Sequence, residues 1–297
     1  MPQPKYLVRF LCTAISMAAC QMVIAESRNC FVKDGEIICQ TAVDPLSALN
    51  PVEKGQVVYR ELDERNGATM GFGGTGYVDG QSTLTATINK NGKMIQRDIK
   101  MRFLEGENDR DKRIIVMKNP REAKGTALLT ISNQNGLDDQ WLYSPEYKKV
   151  QRIPRNNSGS SFAGTEIFYE DLSRQSLDKY DYEHIRKEQL EGRETHVIAR
   201  FPKDKYSAYS KLLTWVDAEH YYPVKVIYFD KQNRLLKTLT ASDYKQYNDK
   251  FWRAGTMNIV NHQNKHSTSM VWSDYQFNIG LSEQDFSLNG LQRARNY

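Results

Sequence analysis

The sequence predicts an α+β fold in which a large antiparallel sheet carries few helices. After residue 80, most of the chain alternates apolar and polar residues with period two, and short polar turns separate the alternating runs. Helical patterns are few and short. Strands that follow one another without intervening helices favour an antiparallel meander over βαβ units.

Residues 1–25 predict a secretory signal peptide. Lys5 and Arg9 precede an uncharged apolar run, and small residues lead to a cleavage site after Ala25. The run is shorter than the about 20 residues that a membrane-spanning helix needs. An alternative interpretation is the lipoprotein cleavage box MAAC, which would leave a lipid anchor on Cys20. Both interpretations predict a periplasmic protein.

Residues 26–80 predict an N-terminal unit with a hairpin, a helix and a glycine-rich passage. Asp-Gly lies between apolar pairs in CFVKDGEIIC, which is typical of a hairpin. An oxidising compartment favours a disulfide between Cys30 and Cys39 over a metal or redox site. The helix begins near Asn50 and ends at Gly67, with Pro51 in its first turn.

Residues 81–297 predict the main sheet domain. Thr83–Phe103 forms a hairpin that turns at Asn91-Gly92, with Ile99, Met101 and Phe103 on one face. Alternation returns at residues 197–201, 224–229, 235–241, 257–260 and 267–277. Two short helices are expected, in NPREAKG from Asn119 and in EIFYEDLSRQ from Glu166.

Composition and motifs argue against several function classes. A net charge of +5 is too mild for a nucleic-acid-binding face. GFGGTG matches a dinucleotide fingerprint, but a helix precedes it and a strand follows, which inverts the required order. The histidines form no zinc motif, and neither metal nor cofactor is predicted. GSSFAG misses the spacing of a nucleophile elbow, although Glu170 or Asp171 beside a histidine remains an alternative.

Aromatic residues offer a choice between an ordinary core and a cavity wall. Trp141 and Tyr143 share one side of a strand, and Phe162, Phe168, Tyr169 and Trp215 are further large rings. Large rings fill cores, and they also give broad apolar walls to ligand pockets. The pattern alone slightly favours an ordinary core.

Several segments in fixed order resemble the LolA-like outer-membrane lipoprotein-sorting protein family, in its Treponema-type lipoprotein branch. The most specific are DDQWLYSPEYKKVQRI and SSFAGTEIFYEDL, followed by WVDAEHYYPVKVIYFDKQNRLLKTLTASDY. The sequence departs from the family pattern at Ser144 and at four positions of the second segment, Ala163, Thr165, Glu166 and Ile167. These changes put in doubt which ligand fits.

The resemblance implies a strongly curved antiparallel sheet, an incomplete barrel, with a few helices covering its concave face. The space between is expected to be an apolar cavity for acyl chains, and no catalytic residue carries over. Within SGSSFAGTEIFYEDL, Phe162 and Tyr169 are expected to turn into the wall and Glu170 and Asp171 to begin a short helix. A structural corner without ligand contact is the alternative. The expected lining residues are Met101, Phe103, Trp141, Tyr143, Phe162, Tyr169 and Trp215.

The sequence therefore predicts a monomeric, non-enzymatic periplasmic carrier or chaperone that binds lipid or lipoprotein acyl chains. Two alternatives belong to other classes. One is an accessory subunit that binds an RND-type inner-membrane exporter and uses the fold as a scaffold. The other is a lipid-modifying enzyme with Asp or His at the cavity mouth.

Overall fold

The computed structural model describes residues 29–33, 36–40, 44, 46–66, 79–106, 110–133, 137–249 and 251–294, the first two ranges by their backbone alone. The predicted signal peptide, Cys20 and the glycine-rich passage up to residue 78 lie outside the described residues. The chain divides into two compact units, Met1–Leu49 and Asn50–Tyr297. No helix of the described residues is long and apolar enough to cross a membrane.

The first unit contains the predicted hairpin. Strand β1 (Asn29–Lys33) pairs antiparallel with β2 (Glu36–Gln40), and Cys30 lies opposite Cys39 in the register. Opposed residues of an antiparallel pair have Cα atoms about 4.5 or 5.5 Å apart, which a disulfide can bridge. The register is thus compatible with the Cys30–Cys39 disulfide, which stays a prediction.

The second unit is built on one antiparallel sheet of thirteen strands. Two meanders form it, one running outward from β3 to the edge strand β8, the other running inward from the edge strand β9 to β17, which pairs with β3. A separate hairpin, β14–β15, follows β13. The strands are β3 (Asp79–Lys90), β4 (Lys93–Leu104), β5 (Lys112–Asn119), β6 (Ala127–Ile131), β7 (Asp139–Ser144), β8 (Lys149–Arg152), β9 (Tyr180–Leu190), β10 (Arg193–Pro202), β11 (Tyr209–Asp217), β12 (Pro223–Asp230), β13 (Leu235–Ser242), β14 (Lys245–Tyr247), β15 (Phe251–Arg253), β16 (Thr256–Asn261) and β17 (Ser267–Phe277).

Residues 153–179 connect the two edges of this sheet, and we call them the crossing segment. They contain three short 3₁₀ turns, Arg155–Asn157, Glu170–Leu172 and Leu177–Lys179. The longer helix expected from Glu166 is therefore wrong, because only Glu170–Leu172 is helical there. The helix expected from Asn119 is also wrong, since residues 121–125 form hydrogen-bonded turns.

Contacts of the crossing segment show how strongly the sheet curves. Seven strand spacings separate β7 from β13, about 33 Å in a flat sheet. Yet Gln140 of β7 donates to the Tyr169 carbonyl (2.9 Å), and Lys237 of β13 donates to Asp171 (2.5 Å). Two residues of backbone and two side chains cannot bridge the flat distance. The sheet must curl around the segment, which therefore lies on its concave face.

The curled sheet does not close into a barrel, because β8 and β9 remain its edge strands. Polar contacts link the two halves of the sheet instead. Leu137 N, in the β6–β7 loop, donates to Asp204 in the β10–β11 loop (3.1 Å). Lys179 Nζ lies 2.5 Å from Asp138 Oδ1, and both side chains are buried. Ser158 Oγ donates to the Tyr206 carbonyl (2.7 Å). The predicted strongly curved antiparallel sheet is confirmed as an open half-barrel.

Two helices pack on different parts of the sheet. Helix α1 (Pro51–Asn66) is capped by Asn50, whose side chain accepts from Val52 N and Glu53 N, while Glu53 accepts from Asn50 N. It packs mainly on β9, where its Tyr59 ring lies 4.8 Å from that of Tyr182. Helix α2 (Leu288–Arg293) packs on β6 and β7, preceded by a 3₁₀ turn at Glu283–Phe286.

Close approach of α1 to the sheet depends on Gly55. A Cβ atom at this position would lie 3.0 Å from Glu183 N and 3.1 Å from His184 N, both backbone atoms of β9. We therefore expect Gly55→Val to lower the free energy of unfolding by about 1–3 kcal/mol, although valine favours a helix more than glycine does. Urea denaturation measures the change.

The neighbouring exposed position supplies the control for Gly55→Val. Gln56 lies on the same helix and faces solvent. Gln56→Val should change the free energy of unfolding by less than about 0.5 kcal/mol. Equal losses in the two variants would show that valine weakens the helix itself and that the packing distance at Gly55 is unimportant.

Candidate functional site

The concave face has an apolar part and a polar part. Directly opposed residues of antiparallel strands share a face, so the register assigns each side chain to the concave face or to the opposite face of the sheet. The apolar part centres on β3 and its neighbours, and the residues buried there are Leu84, Ala86, Ile88, Ile99, Met101, Ile115, Leu128, Met257, Ile259 and Met270. The polar part lies on β9–β13 and includes Tyr182, Arg200, Thr214, Tyr228 and Lys237.

Lys237 is the main anchor of the crossing segment. Its side chain is fully buried, and Nζ donates to Asp171 Oδ2 (2.5 Å) and to the Glu166 carbonyl (2.9 Å). Nζ also lies 3.7 Å from the centre of the Phe168 ring. Burial lowers the pKa of Lys237, and the charge of Asp171 opposes that shift. Asp171 accepts a further bond from the Tyr209 hydroxyl (2.6 Å), so the pair is well satisfied.

Glu166 ties the same segment to the neighbouring strands. Its carboxylate accepts from Asn261 Nδ2 (2.7 Å) and lies 3.5 Å from His266 Nδ1. Its backbone N–H donates to Thr268 Oγ1 (2.9 Å). Glu166 is one of the positions that depart from the family pattern, and here it makes a buried polar contact with β16 and β17.

Glu170 is a buried carboxyl group that contacts no cation among the described residues. It accepts from Ser207 Oγ (2.5 Å) and Ala208 N (2.7 Å), and 3% of the residue is exposed. Burial raises its pKa to about 7, and the two hydrogen bonds only partly oppose that shift. Glu170 and Asp171 therefore have different roles, which the prediction of a helix start did not distinguish.

The opposite side of the crossing segment is held by β5, β7 and α1. Arg113 Nη1 donates to the Leu172 carbonyl (2.7 Å), and burial lowers the pKa of Arg113 to about 10. Arg174 forms ion pairs with Asp63 of α1 (3.2 Å) and with Asp111. The segment is thus fixed to both halves of the sheet and to α1 through side chains.

The backbone of the crossing segment is bonded mostly to itself. Phe162 N donates to the Ile167 carbonyl, Thr165 N to Phe162, and Tyr169 N to Ser160. Ser161 and Phe168 form an isolated bridge inside the segment. The segment therefore adds no strand to the sheet, and it presents the buried apolar side chains of Phe162, Ile167 and Leu172.

The predicted lining residues fall on both faces of the sheet. Met101 and Phe103 lie on the concave face, and Phe162 packs edge-on against Tyr169 at 5.9 Å within the crossing segment. Trp141 and Tyr143 face the other side, where Phe286 and Leu291 cover them. Trp215 also faces that side, near Tyr222, Tyr244 and Trp252. The seven residues do not line one surface, and lipid contact stays a prediction.

The serine-nucleophile alternative finds no support in the local geometry. Ser158 Oγ and Ser161 Oγ both donate to backbone carbonyls, of Tyr206 and Thr165. Among the described residues, Glu170 bonds to a serine and a backbone amide, and Asp171 to Lys237 and Tyr209. Nor do these parts of the chain bring three potential metal-ligating side chains together.

Two clefts open elsewhere on the described surface. One, of about 320 Å³, lies beside the start of the crossing segment, and Gln140, Arg152, Arg155 and Glu170 are among its lining residues. The other, of about 480 Å³, lies between the β9–β10 turn and β13, with Arg193, Tyr222 and Tyr244 in its wall. Both have many polar lining groups, unlike the apolar cavity that the sequence predicts.

The residues that anchor the segment were missed in the sequence, although a signal exists. Lys237 shares one face of its strand with Leu239 and Ala241, two and four residues on, and Arg200 shares a face with Ile198, two residues before it. Each basic residue therefore occupies an inward position of its strand. A basic residue in register with buried apolar neighbours indicates a buried cation that needs a partner.

Comparisons with known proteins agree with this architecture. A family model described as "Uncharacterized protein" matches residues 109–293. The crystal structure of a domain from Vibrio parahaemolyticus, named for outer membrane lipoprotein sorting, is 40% identical with a TM-score of 0.76, covering 82% of this chain and all of that one. A DUF1329 family protein from Desulfovibrio piger is 26% identical with a TM-score of 0.75, covering 82% and 99%. The chain belongs to the DUF1329 family.

A third neighbour is less similar in sequence but has a similar structure. A LolA superfamily protein from Nitrosomonas europaea has a TM-score of 0.62 at 17% identity, covering 80% of this DUF1329 chain and 98% of that one. It shares the fold. The resemblance to the LolA-like lipoprotein-sorting proteins is thereby confirmed. No curated protein matches the chain at a significant level.

The raised pKa of Glu170 predicts a pH dependence of stability. A carboxyl group with a pKa of about 7 when folded and 4.5 when unfolded binds more protons in the folded state between these values. Its contribution is therefore greatest below pH 4.5 and falls as the pH rises to 7, by up to about 3 kcal/mol. Glu170→Gln should remove this loss.

The measurement is the difference in unfolding free energy between wild type and Glu170→Gln at each pH. The difference should change in favour of the variant from pH 4.5 to 7 and stay constant above 7.5. Glu183→Gln, at an exposed position of β9, is the control and should show no such change. A difference independent of pH would mean that Glu170 has the same pKa in the folded and unfolded states.

Proposed function

We propose that the protein is a periplasmic carrier for the acyl chains of lipids or lipoproteins. The concave face is the binding surface, and the crossing segment is a plug that occupies it in the absence of ligand. The observation that carries this proposal is the way the segment is held. It covers an apolar sheet face, its backbone is bonded mostly to itself, and its contacts with the sheet are made mainly through side chains such as those of Lys237 and Asn261.

Shielding an acyl chain from water is the physical task of such a carrier. Burial of one methylene group stabilises by about 0.8 kcal/mol, so a chain of about sixteen carbons opposes entry into water by roughly 12 kcal/mol. Phe162, Ile167 and Leu172 already cover part of the apolar face. An acyl chain that takes their place replaces one apolar contact with another. This replacement lowers the free-energy cost of moving the crossing segment away from the concave face.

The relatives and the N-terminal sequence support the same proposal. The Vibrio relative is named for outer membrane lipoprotein sorting. The predicted signal peptide, with cleavage after Ala25 or lipidation at Cys20, would deliver the chain to the periplasm, where lipids and lipoproteins cross between membranes. Binding without chemistry requires neither a catalytic residue nor a cofactor.

Weakening the anchor of the plug should ease ligand entry. Lys237→Met removes the cation from a buried pair and leaves Asp171 without its counter-ion, which typically costs about 3–5 kcal/mol. We expect faster binding of a fluorescent long-chain fatty acid, measured by stopped flow. Trypsin should also cleave faster after Arg174 and Lys179, which are buried in the wild type.

Ligand addition to the wild type should produce the same change in cleavage. Lys231→Met, at an exposed turn, is the matched control and should leave both rates unchanged. If the wild type binds the fatty acid while cleavage after Arg174 and Lys179 stays slow, the ligand lies outside the plugged face. If no acyl ligand of any kind binds, the carrier proposal is wrong.

A further inference from the structure

Arg200 on β10 is a buried cation that contacts no carboxylate in the part of the chain that the structure describes. Its side chain is fully enclosed on the concave face. Nε donates to Thr214 Oγ1 (3.1 Å) and Nη1 to Gln175 Oε1 (3.1 Å). A guanidinium group has five N–H donors, and these two bonds use two of them. Three other buried basic residues around the crossing segment contrast with it, since Lys237, Arg174 and Lys179 each contact a carboxylate, whereas Arg113 donates to the Leu172 carbonyl.

The neighbours of Arg200 are aromatic and neutral. Its guanidinium lies 4.8 Å from the centre of the Tyr59 ring and 5.0 Å from that of Tyr180. Burial raises the pKa values of Tyr180, Tyr182 and Tyr228 well above 10, so none of these phenols supplies a negative charge at neutral pH. Cation–π contacts offset part of the loss of hydration, but they leave the charge uncompensated.

Two buried hydroxyl groups, one on the strand neighbour of Arg200 and one on the residue after Gln175, have no hydrogen-bond partner among the described residues. Tyr182 lies directly opposite Arg200 in the register, and its buried hydroxyl has no hydrogen-bond partner. The buried hydroxyl of Ser176 also has none, and Ser176 follows Gln175, which already bonds to Arg200. Buried hydroxyls without partners are uncommon. Together with the remaining guanidinium donors, the Tyr182 hydroxyl is a group that an oxyanion would satisfy.

We propose that Arg200 and Tyr182 bind the anionic head group of an amphiphile, either a carboxylate or a phosphate, whose apolar tail lies along the concave face. This inference rests on the proposed carrier function and specifies its ligand class. The register supports the tail's path, because Leu212 lies opposite Arg200, and Val226 and Leu239 follow on the next strands of the same face. In the closed form, Gln175 of the plug accepts a hydrogen bond from Arg200, and the head group would replace Gln175 as the acceptor.

The test compares amphiphiles that share one tail and differ in head group. Dodecanoate, dodecyl phosphate and dodecanol would each displace a fluorescent fatty acid from the full-length protein, below their micelle concentrations. Charge-assisted hydrogen bonds are much stronger than neutral ones, so we expect at least one anion to bind about tenfold tighter than dodecanol. Preference between dodecanoate and dodecyl phosphate distinguishes a fatty acid from a phospholipid as the source.

Substitution of Arg200 should remove that preference without removing tail binding. Arg200→Met should bind all three amphiphiles with the affinity that the wild type has for dodecanol, whereas Arg200→Lys should keep part of the preference. Arg186→Met, at an exposed arginine of β9, is the control and should retain it. Tyr182→Phe gives an independent test, because its hydroxyl has no partner to lose, and it should weaken anion binding alone.

The outcomes separate this inference from the carrier proposal. Equal affinity of the wild type for the anions and dodecanol would show that Arg200 is a structural cation, while the carrier function stands. A preference that survives in both Arg200→Met and Tyr182→Phe would place the head group elsewhere and overturn the inference. If Arg200→Met does not fold, the result with Tyr182→Phe decides. Failure of all three amphiphiles to bind would overturn both proposals.

Discussion

The buried pair of Lys237 and Asp171 is the interaction on which the architecture of the site depends. It joins strand β13 to the crossing segment at the same point where Gln140 and Arg113 hold that segment from the other half of the sheet. A buried ion pair contributes little net stability compared with an apolar pair, because both ions lose their hydration. It does impose a defined geometry, since neither ion tolerates the loss of its partner. The curl of the sheet is thus fixed by polar contacts at its centre.

This arrangement has a consequence for function. A segment held by apolar packing alone would be indistinguishable from ordinary core, and its removal would unfold the domain. The crossing segment keeps most of its backbone hydrogen bonds within itself and meets the sheet mainly through side chains, so in the proposed function it would leave the sheet as a unit. The apolar face beneath it would then be open to an acyl chain, while the meanders on either side keep their pairing.

In the proposed carrier, the polar half of the concave face would give the site chemical selectivity. A purely apolar groove distinguishes ligands by length alone, because apolar contacts are not directional. Arg200 and Tyr182 add donors at one end of that groove, and ring faces of Tyr59 and Tyr180 limit the width beside them. The contrast with the fully paired Lys237 distinguishes a cation that anchors the plug from one that is available to a ligand.

The sequence by itself determined the class of fold and most of its strands. Period-two alternation located β3, β4, β12, β13, β16 and β17, and Asn50 with Glu53 set the start of α1. Strand alternation and helix capping both depend on residues that are near one another in the sequence. Tertiary structure alone decided which face of each strand is concave. Trp141 and Tyr143 are as apolar as Met101 and Phe103, yet they pack beneath α2 on the other side. It also decided the shape of residues 166–175, where a helix was expected. There Glu170, Asp171 and Glu166 bond through their side chains to Ser207, Lys237 and Asn261, which lie 37, 66 and 95 positions away. Such distant partners leave no periodic trace in the sequence.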